Sequence, residues 1–179
     1  MKKYLISWQI KRKQAVKHLP VITTIEGADH VCLLVVVDSS AKVEWLKQIS
    51  LQFIRLNPKF RLIVFVKGKK IEIPELVSNL IVVRPNDFNF FGFLRADILK
   101  KLESKCDLLL NLDRSGNIFL HYLTTLIPAG FLIRTTGNNE SGLADFYDLT
   151  LNTPNMDDAN ILVKELAGYL RSLNGIENA

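Results

Sequence analysis

Residues 106–136 read CDLLLNLDRSGNIFLHYLTTLIPAGFLIRTT, and the order of polarity in this stretch decides the fold. An apolar run, DLLLNL (107–112), leads into a polar turn, Asp113-Arg114-Ser115-Gly116-Asn117. Phe119, Tyr122, Leu123 and Leu126 then fall at helical spacing, and FLIR (131–134) resumes the apolar run. Strand, turn, helix, strand is half of a parallel α/β sheet, because parallel neighbours need a crossover of about a dozen residues or more. A loop running from a strand end into a helix start offers backbone N–H groups, which favours an anion there.

The same alternation extends in both directions. VCLLVVV (31–37) is a valine-rich run of the kind buried on both faces, and RLIVFV (61–66) is another. Between them Asp38-Ser39-Ser40 supplies turn and N-cap chemistry, and Val43, Leu46, Ile49, Phe53 and Leu56 make a helical stripe that Asn57-Pro58 closes. LIVV (80–83) reads as a short edge strand before Arg84-Pro85. A helix is expected from about Gly92 to Ser104, with Leu94, Ile98 and Leu102 inward.

YDLTL (147–151) is a sixth strand candidate. The last helix is expected to start at Thr153-Pro154 and to bury Ala159, Leu162, Val163, Leu166, Leu170 and Leu173, with Gly175 just past its end. These elements predict a Rossmann-like, doubly wound α/β fold, with a mostly parallel sheet of five to six strands in three α/β/α layers. The 31–37 and 107–112 strands are expected to be central neighbours.

Two units are expected: an N-terminal basic amphipathic helix over 1–20, and one α/β domain over 21–179. In the first, Leu5, Trp8, Ala15 and Leu19 suggest the apolar stripe, amid Lys2, Lys3, Lys11, Arg12, Lys13 and Lys17. Residues 1–70 carry 14 basic against 4 acidic side chains, whereas the chain as a whole is only +5. Such asymmetry is compatible with an anionic partner or with faces turned to different neighbours. No apolar run reaches the roughly 20 residues of a membrane span, and no secretory signal pattern is evident. A cytoplasmic, bacterial protein is the expectation.

Chemistry-bearing motifs are sparse. There is no GxGxxG, no GxxxxGK[ST] and no GxSxG. Cys32 and Cys106 lack the neighbours a zinc site needs and read as buried free thiols. Neither a cofactor nor a metal is expected, and no nucleic-acid module is recognisable.

If strands 31–37 and 107–112 are adjacent, the residues after each converge on one crevice. Ser39, Ser40, Arg114, Ser115, Gly116 and Asn117 are then the candidate ligand-binding set. Asp38, Asp113 and His121 are the candidate acid–base groups. Helix capping and turn formation would select most of the same residues, so this reading stays open beside the functional one. The cluster Phe88-Asn89-Phe90-Phe91-Gly92-Phe93 serves either core packing or a homodimer contact through Phe88, Phe90, Phe91 and Phe93. The segment Gly137 to Gly142 is either a lid or a plain surface loop.

From Val31 to Gly137, the succession VCLLVVVDSS, NPKFRLIVFVKG, LIVVRP and KCDLLLNLDRSGNIFLHYLTTLIPAGFLIRTTG resembles the N-terminal, acceptor-side domain of heptosyltransferase-type (GT-B) glycosyltransferases. Small uncharacterised bacterial proteins share the whole-chain pattern. The glycosyltransferase resemblance implies a Rossmann-like half domain. That family carries a Gly-Asp pair after its first strand; here the loop is Asp38-Ser39-Ser40-Ala41, so only Asp38 corresponds. The nucleotide-sugar half has no counterpart in these residues, so glycosyl transfer by this chain alone is not expected. The leading expectation is a non-catalytic domain that binds a small anionic ligand or a protein partner. A small enzyme acting on a sugar- or phosphate-related substrate in the crevice is the first alternative. A membrane-peripheral adaptor using residues 2–19 is the second.

Overall fold

In a computed structural model the described residues are 2–13, 19–68, 70–136, 146–153 and 157–175, and of the first helix only side chains 5–10 are described. The expectations for residues 137–142, 154 and 14–18 lie outside them. The chain runs through α1 (Lys2–Lys13), β1 (Val31–Val37), α2 (Ser40–Leu56), β2 (Arg61–Val66) and β3 (Leu80–Val83). It continues through a 3-10 turn (Pro85–Asp87), α3 (Ala96–Leu102), β4 (Cys106–Asn111), α4 (Ile118–Leu126), β5 (Ala129–Thr136), β6 (Leu149–Asn152) and α5 (Ala159–Leu173).

The six strands form one sheet in the order β3-β2-β1-β4-β5-β6, and every neighbouring pair is parallel. This is the doubly wound order in which the chain reverses direction between β1 and β4. Val31 lies opposite Leu108 and Leu34 opposite Asn111, so the C-terminal ends of β1 and β4 leave the sheet side by side.

Two apolar clusters sandwich the sheet. One face carries Leu33, Val35, Leu62, Val64, Leu108 and Leu110 against α2 and α5. The other carries Cys32, Leu34, Ile63, Phe65 and Leu109 against α1, α3 and α4. Alternate residues of β1 therefore enter opposite clusters, which is why the whole strand is apolar. Two half-buried faces would have produced an alternating sequence instead.

Helix boundaries follow local chemistry. Ser39 caps α2 by accepting a hydrogen bond from the Lys42 N–H, and Asp158 caps α5 by accepting from Asn160 and Ile161. Asn57 ends α2, and its side-chain amide donates to the Ile25 and Ala28 carbonyls, tying the 25–28 segment to the core. The stripe expected for α5 is buried except at its end, where Leu173 is exposed. Helix α3 is shorter than its sequence pattern: Gly92, at φ 82°, turns the chain, and a bridge between Phe88 and Leu94 precedes the first helical residue.

The buried stripe of α1 differs from the one its sequence suggests. Ile6, Gln9 and Ile10 are buried, whereas Trp8 is 59% exposed and Leu19, beyond the helix, is exposed too. Ile6 and Ile10 belong to the same cluster as Leu120 and Leu123 of α4, so α1 contributes to the core. The phenylalanine cluster divides in the same way. Phe88 is buried, with ring contacts to Phe65, Phe119 and Tyr122, while Phe90, Phe91 and Phe93 are exposed.

Candidate functional site

The loops leaving β1 and β4 meet at the carboxyl edge of the sheet. Asp38, Ser39 and Ser40 are all exposed there, Ser40 being the first residue of α2. Across from them Asp113 is buried, and its carboxylate organises the following turn. Oδ1 accepts from the Ser115 N–H (3.0 Å) and hydroxyl (2.6 Å), and Oδ2 accepts from the Asn117 N–H (2.6 Å). The Asp113 N–H in turn donates to the Asn111 side chain. Gly116 supplies the left-handed position at φ 62°, and Asn117 caps α4 by accepting from Phe119 and Leu120.

The turn therefore contains its own anion. At the start of α4 the Asn117 N–H is held by Asp113, and the Phe119 and Leu120 N–H groups are held by the Asn117 side chain. Arg114, half-buried, forms no ion pair among the described residues.

Two hollows flank this turn. The first, about 160 Å³, lies between the ends of β1 and β4 and is lined by Asp38, Lys42, Trp45, Asp113, Arg114 and Asp157, among others. Lys42 stands 4.8 Å over the Trp45 ring and 4.0 Å from Asp157. The second, about 450 Å³, is bounded by Phe65, Lys67, Pro85 and residues 115–119. Ser115 borders both. Of the sequence candidates, Asp38, Asp113, Arg114 and Ser115 come together in the first hollow, and Ser115, Gly116 and Asn117 border the second. Ser39 and Ser40 line neither.

His121 lines neither hollow either. It faces a buried polar cluster on the α4 side of the sheet, where its Nδ1 lies 2.7 Å from the Tyr147 hydroxyl. The Asn111 side-chain amide donates to the same hydroxyl at 2.7 Å and to Thr124 at 3.4 Å. The direction of the hydrogen bond between Tyr147 and His121 follows the imidazole tautomer. Burial pushes the Tyr147 hydroxyl up to about 12, and burial lowers His121 below its ordinary value, so both groups are neutral.

Arg134 completes the cluster. Its Nε donates to Thr150 and its guanidinium lies 5.4 Å from the centre of the Tyr147 ring. Among the described residues, His121 Nε2 and one terminal nitrogen of Arg134 are buried without a hydrogen-bond partner.

The sequence reading did not single out Lys42, Trp45, Asp157, Asn111, Arg134 or Tyr147. Signals for some were present. Lys42 follows Asp38 by four residues into the first turn of α2, and Asn111 and Arg134 are polar residues inside apolar strands. Nothing in the sequence indicates that Asp157, far along the chain, joins the hollow.

A sequence model described as "Family of unknown function (DUF6913)" matches residues 2–173. No curated protein matches. Among solved structures, the chain is similar to the crystal structure of a glycosyl transferase family 9 protein from Veillonella parvula DSM 2008, with 16% identity and a TM-score of 0.52. The match covers 78% of this chain and 41% of that one, so this chain spans well under half of its neighbour's length. At such identity the likeness concerns the fold. The glycosyltransferase resemblance read from residues 31–137 holds at that level.

Proposed function

The chain belongs to the family of unknown function DUF6913, and on that premise we propose from its own geometry that it is a non-catalytic binding domain for a small anionic ligand. The ligand sits in the hollow between the ends of β1 and β4. The observation that carries this reading is Arg114, a guanidinium without a carboxylate partner among the described residues, sharing a hollow with Lys42 at the switch point of a doubly wound sheet. A guanidinium binds a carboxylate or phosphate through paired N–H donors, and Lys42 adds a second positive charge. The volume, about 160 Å³, is below the ~300 Å³ at which drug-sized sites begin, which suits a small acid. Asp38 and Asp157 on the same lining favour a ligand that also carries hydroxyl or amino donors.

Catalysis has less support. Asp113 spends both carboxylate oxygens on its own turn, and His121 is committed to Tyr147. A small enzyme in this crevice would have to work through Asp38 alone of the three candidates.

Thermal unfolding of the purified chain, with inorganic phosphate, simple carboxylates and sugar phosphates added singly, tests the binding reading. At least one acid is expected to raise the midpoint, since ligand at about 100 times Kd adds ~2.7 kcal/mol. Arg114→Ala is expected to cancel that rise without lowering the unliganded midpoint. An identical rise in Arg114→Ala would remove Arg114, and with it this site, from the account.

A further inference from the structure

The polar cluster under α4 holds a charge that the hollow does not account for. Asn111 lies opposite Arg134 and Arg134 opposite Thr150, so the three form one row across β4, β5 and β6. Register partners present their side chains to the same face of a sheet, and Asn111 reaches Thr124 of α4 from this one. Ile133 and Leu151, each one residue along, enter the opposite cluster instead. His121 and Thr124 close the row from above. Tyr147 stands among them, with the His121 ring centred 5.8 Å and the Arg134 guanidinium 5.4 Å from the centre of its own ring.

Arg134 is 4% exposed and His121 3% exposed. Among the described residues, Arg134 donates through Nε to Thr150 and forms no ion pair. One of its terminal nitrogens and His121 Nε2 are buried without a hydrogen-bond partner. A lysine so placed could shed its proton, but a guanidinium keeps its charge. Buried charges are paired, because leaving one alone in a medium of low polarity is costly. The Tyr147 ring face supplies only part of what a counter-charge would. Asp113, the acid at the same end of β4, spends its oxygens on Ser115 and Asn117.

We propose that this cluster is a second, enclosed site for a small oxyanion, a phosphate or a carboxylate group, held by the terminal N–H of Arg134 and by His121 through Nε2. In that complex the imidazole proton sits on Nε2 and Nδ1 accepts from the Tyr147 hydroxyl. The hydroxyl accepts from the Asn111 amide, whose orientation is set by the Asp113 N–H donating to its oxygen. Every donor in this series points toward the anion. Arg134 matches the anion's charge, so burial still holds the imidazole neutral. Neither Arg134 nor His121 lines the hollow at Arg114, so the two sites are separate. With both side chains almost wholly enclosed, the anion is resident: it leaves only when the cluster opens, and it stays with the chain through desalting.

The test is ion chromatography of what the full chain releases on unfolding, after desalting into a buffer free of phosphate and carboxylates. An equimolar amount of phosphate or of a carboxylic acid is expected, and the chromatogram tells the two apart. Arg114→Ala is expected to keep that anion and Arg134→Met to lose it. Removing a buried charge together with its counter-ion is close to neutral for folding, so Arg134→Met is expected to keep the parent's unfolding midpoint or exceed it. Nitrogen resonances of the imidazole in the parent should show His121 protonated at Nε2. Release of no oxyanion from the parent overturns the proposal, as does a His121 proton on Nδ1. Loss of the anion in Arg114→Ala would place it in the hollow and overturn the proposal equally. A sharply lower midpoint in Arg134→Met would mean that a carboxylate of the chain itself had been stranded, with the same consequence.

Discussion

Asp113 accepts three hydrogen bonds from the turn it begins, so Asp113→Ala leaves two backbone N–H groups and a hydroxyl without their acceptor. Charge-assisted bonds of this kind support a loss of about 2–4 kcal/mol, measurable as a lower urea midpoint at unchanged slope. His121 makes a pH-dependent contribution of known sign. Burial holds its imidazole below the ordinary 6.5, with Arg134 acting in the same direction and Asp113 against it. The unfolded chain therefore takes up a proton near pH 6.5 that folded His121 refuses. This contribution is full above that pH and is lost as pH falls toward the folded value. His121→Gln is expected to flatten the decline in unfolding free energy between about pH 7 and pH 5 relative to the parent. The residues of this turn were legible in the sequence, but their partners were not. Asp, Ser, Gly and Asn are what an anion-binding loop and a self-capped turn both require, and only the positions of the carboxylate oxygens separate the two. Arg134 and Asn111, by contrast, were conspicuous polar residues in apolar strands, and the cluster they build shows why such interruptions merit a partner search.

Helix α1 gives the clearest lesson among the elements. Ile6→Ala removes a fully buried side chain shared with Leu120 and Leu123, and a loss of about 2–5 kcal/mol is expected. Trp8→Ala, at a position 59% exposed, should cost less than Ile6→Ala. Equilibrium denaturation of the two variants measures both, and the opposite ranking would mean that α1 packs through its tryptophan. The sequence offers apolar residues on more than one side of this helix, and hydrophobicity alone chose the larger one. The stripe of α5 was legible because Ala159, Leu162, Val163, Leu166 and Leu170 leave no competing side. Strands β1 and β2 were legible for a related reason: a run with no polar interruption has to be buried on both faces. The ends of β4, β5 and β6 fell within two residues of expectation.

At the scale of the molecule, the parallel sheet and the adjacency of β1 and β4 followed from alternating apolar runs and helical stripes, and the sheet order places the reversal where the sequence put it. Less of the site was readable. Asp157 comes from a segment preceding α5, and Lys42 and Trp45 come from α2, so the hollow is assembled by crossovers whose spatial course no local pattern encodes. The central claim is that this hollow, through Arg114 and Lys42, receives a small acid. Amide chemical shifts followed by nuclear magnetic resonance during titration with the acid that most raises the unfolding midpoint test it most directly. Saturable shifts concentrated at Asp38, Lys42, Arg114 and Ser115, and lost in Arg114→Ala, are the predicted result. Saturation with those four amides unmoved would contradict the account, as would their undiminished response in Arg114→Ala.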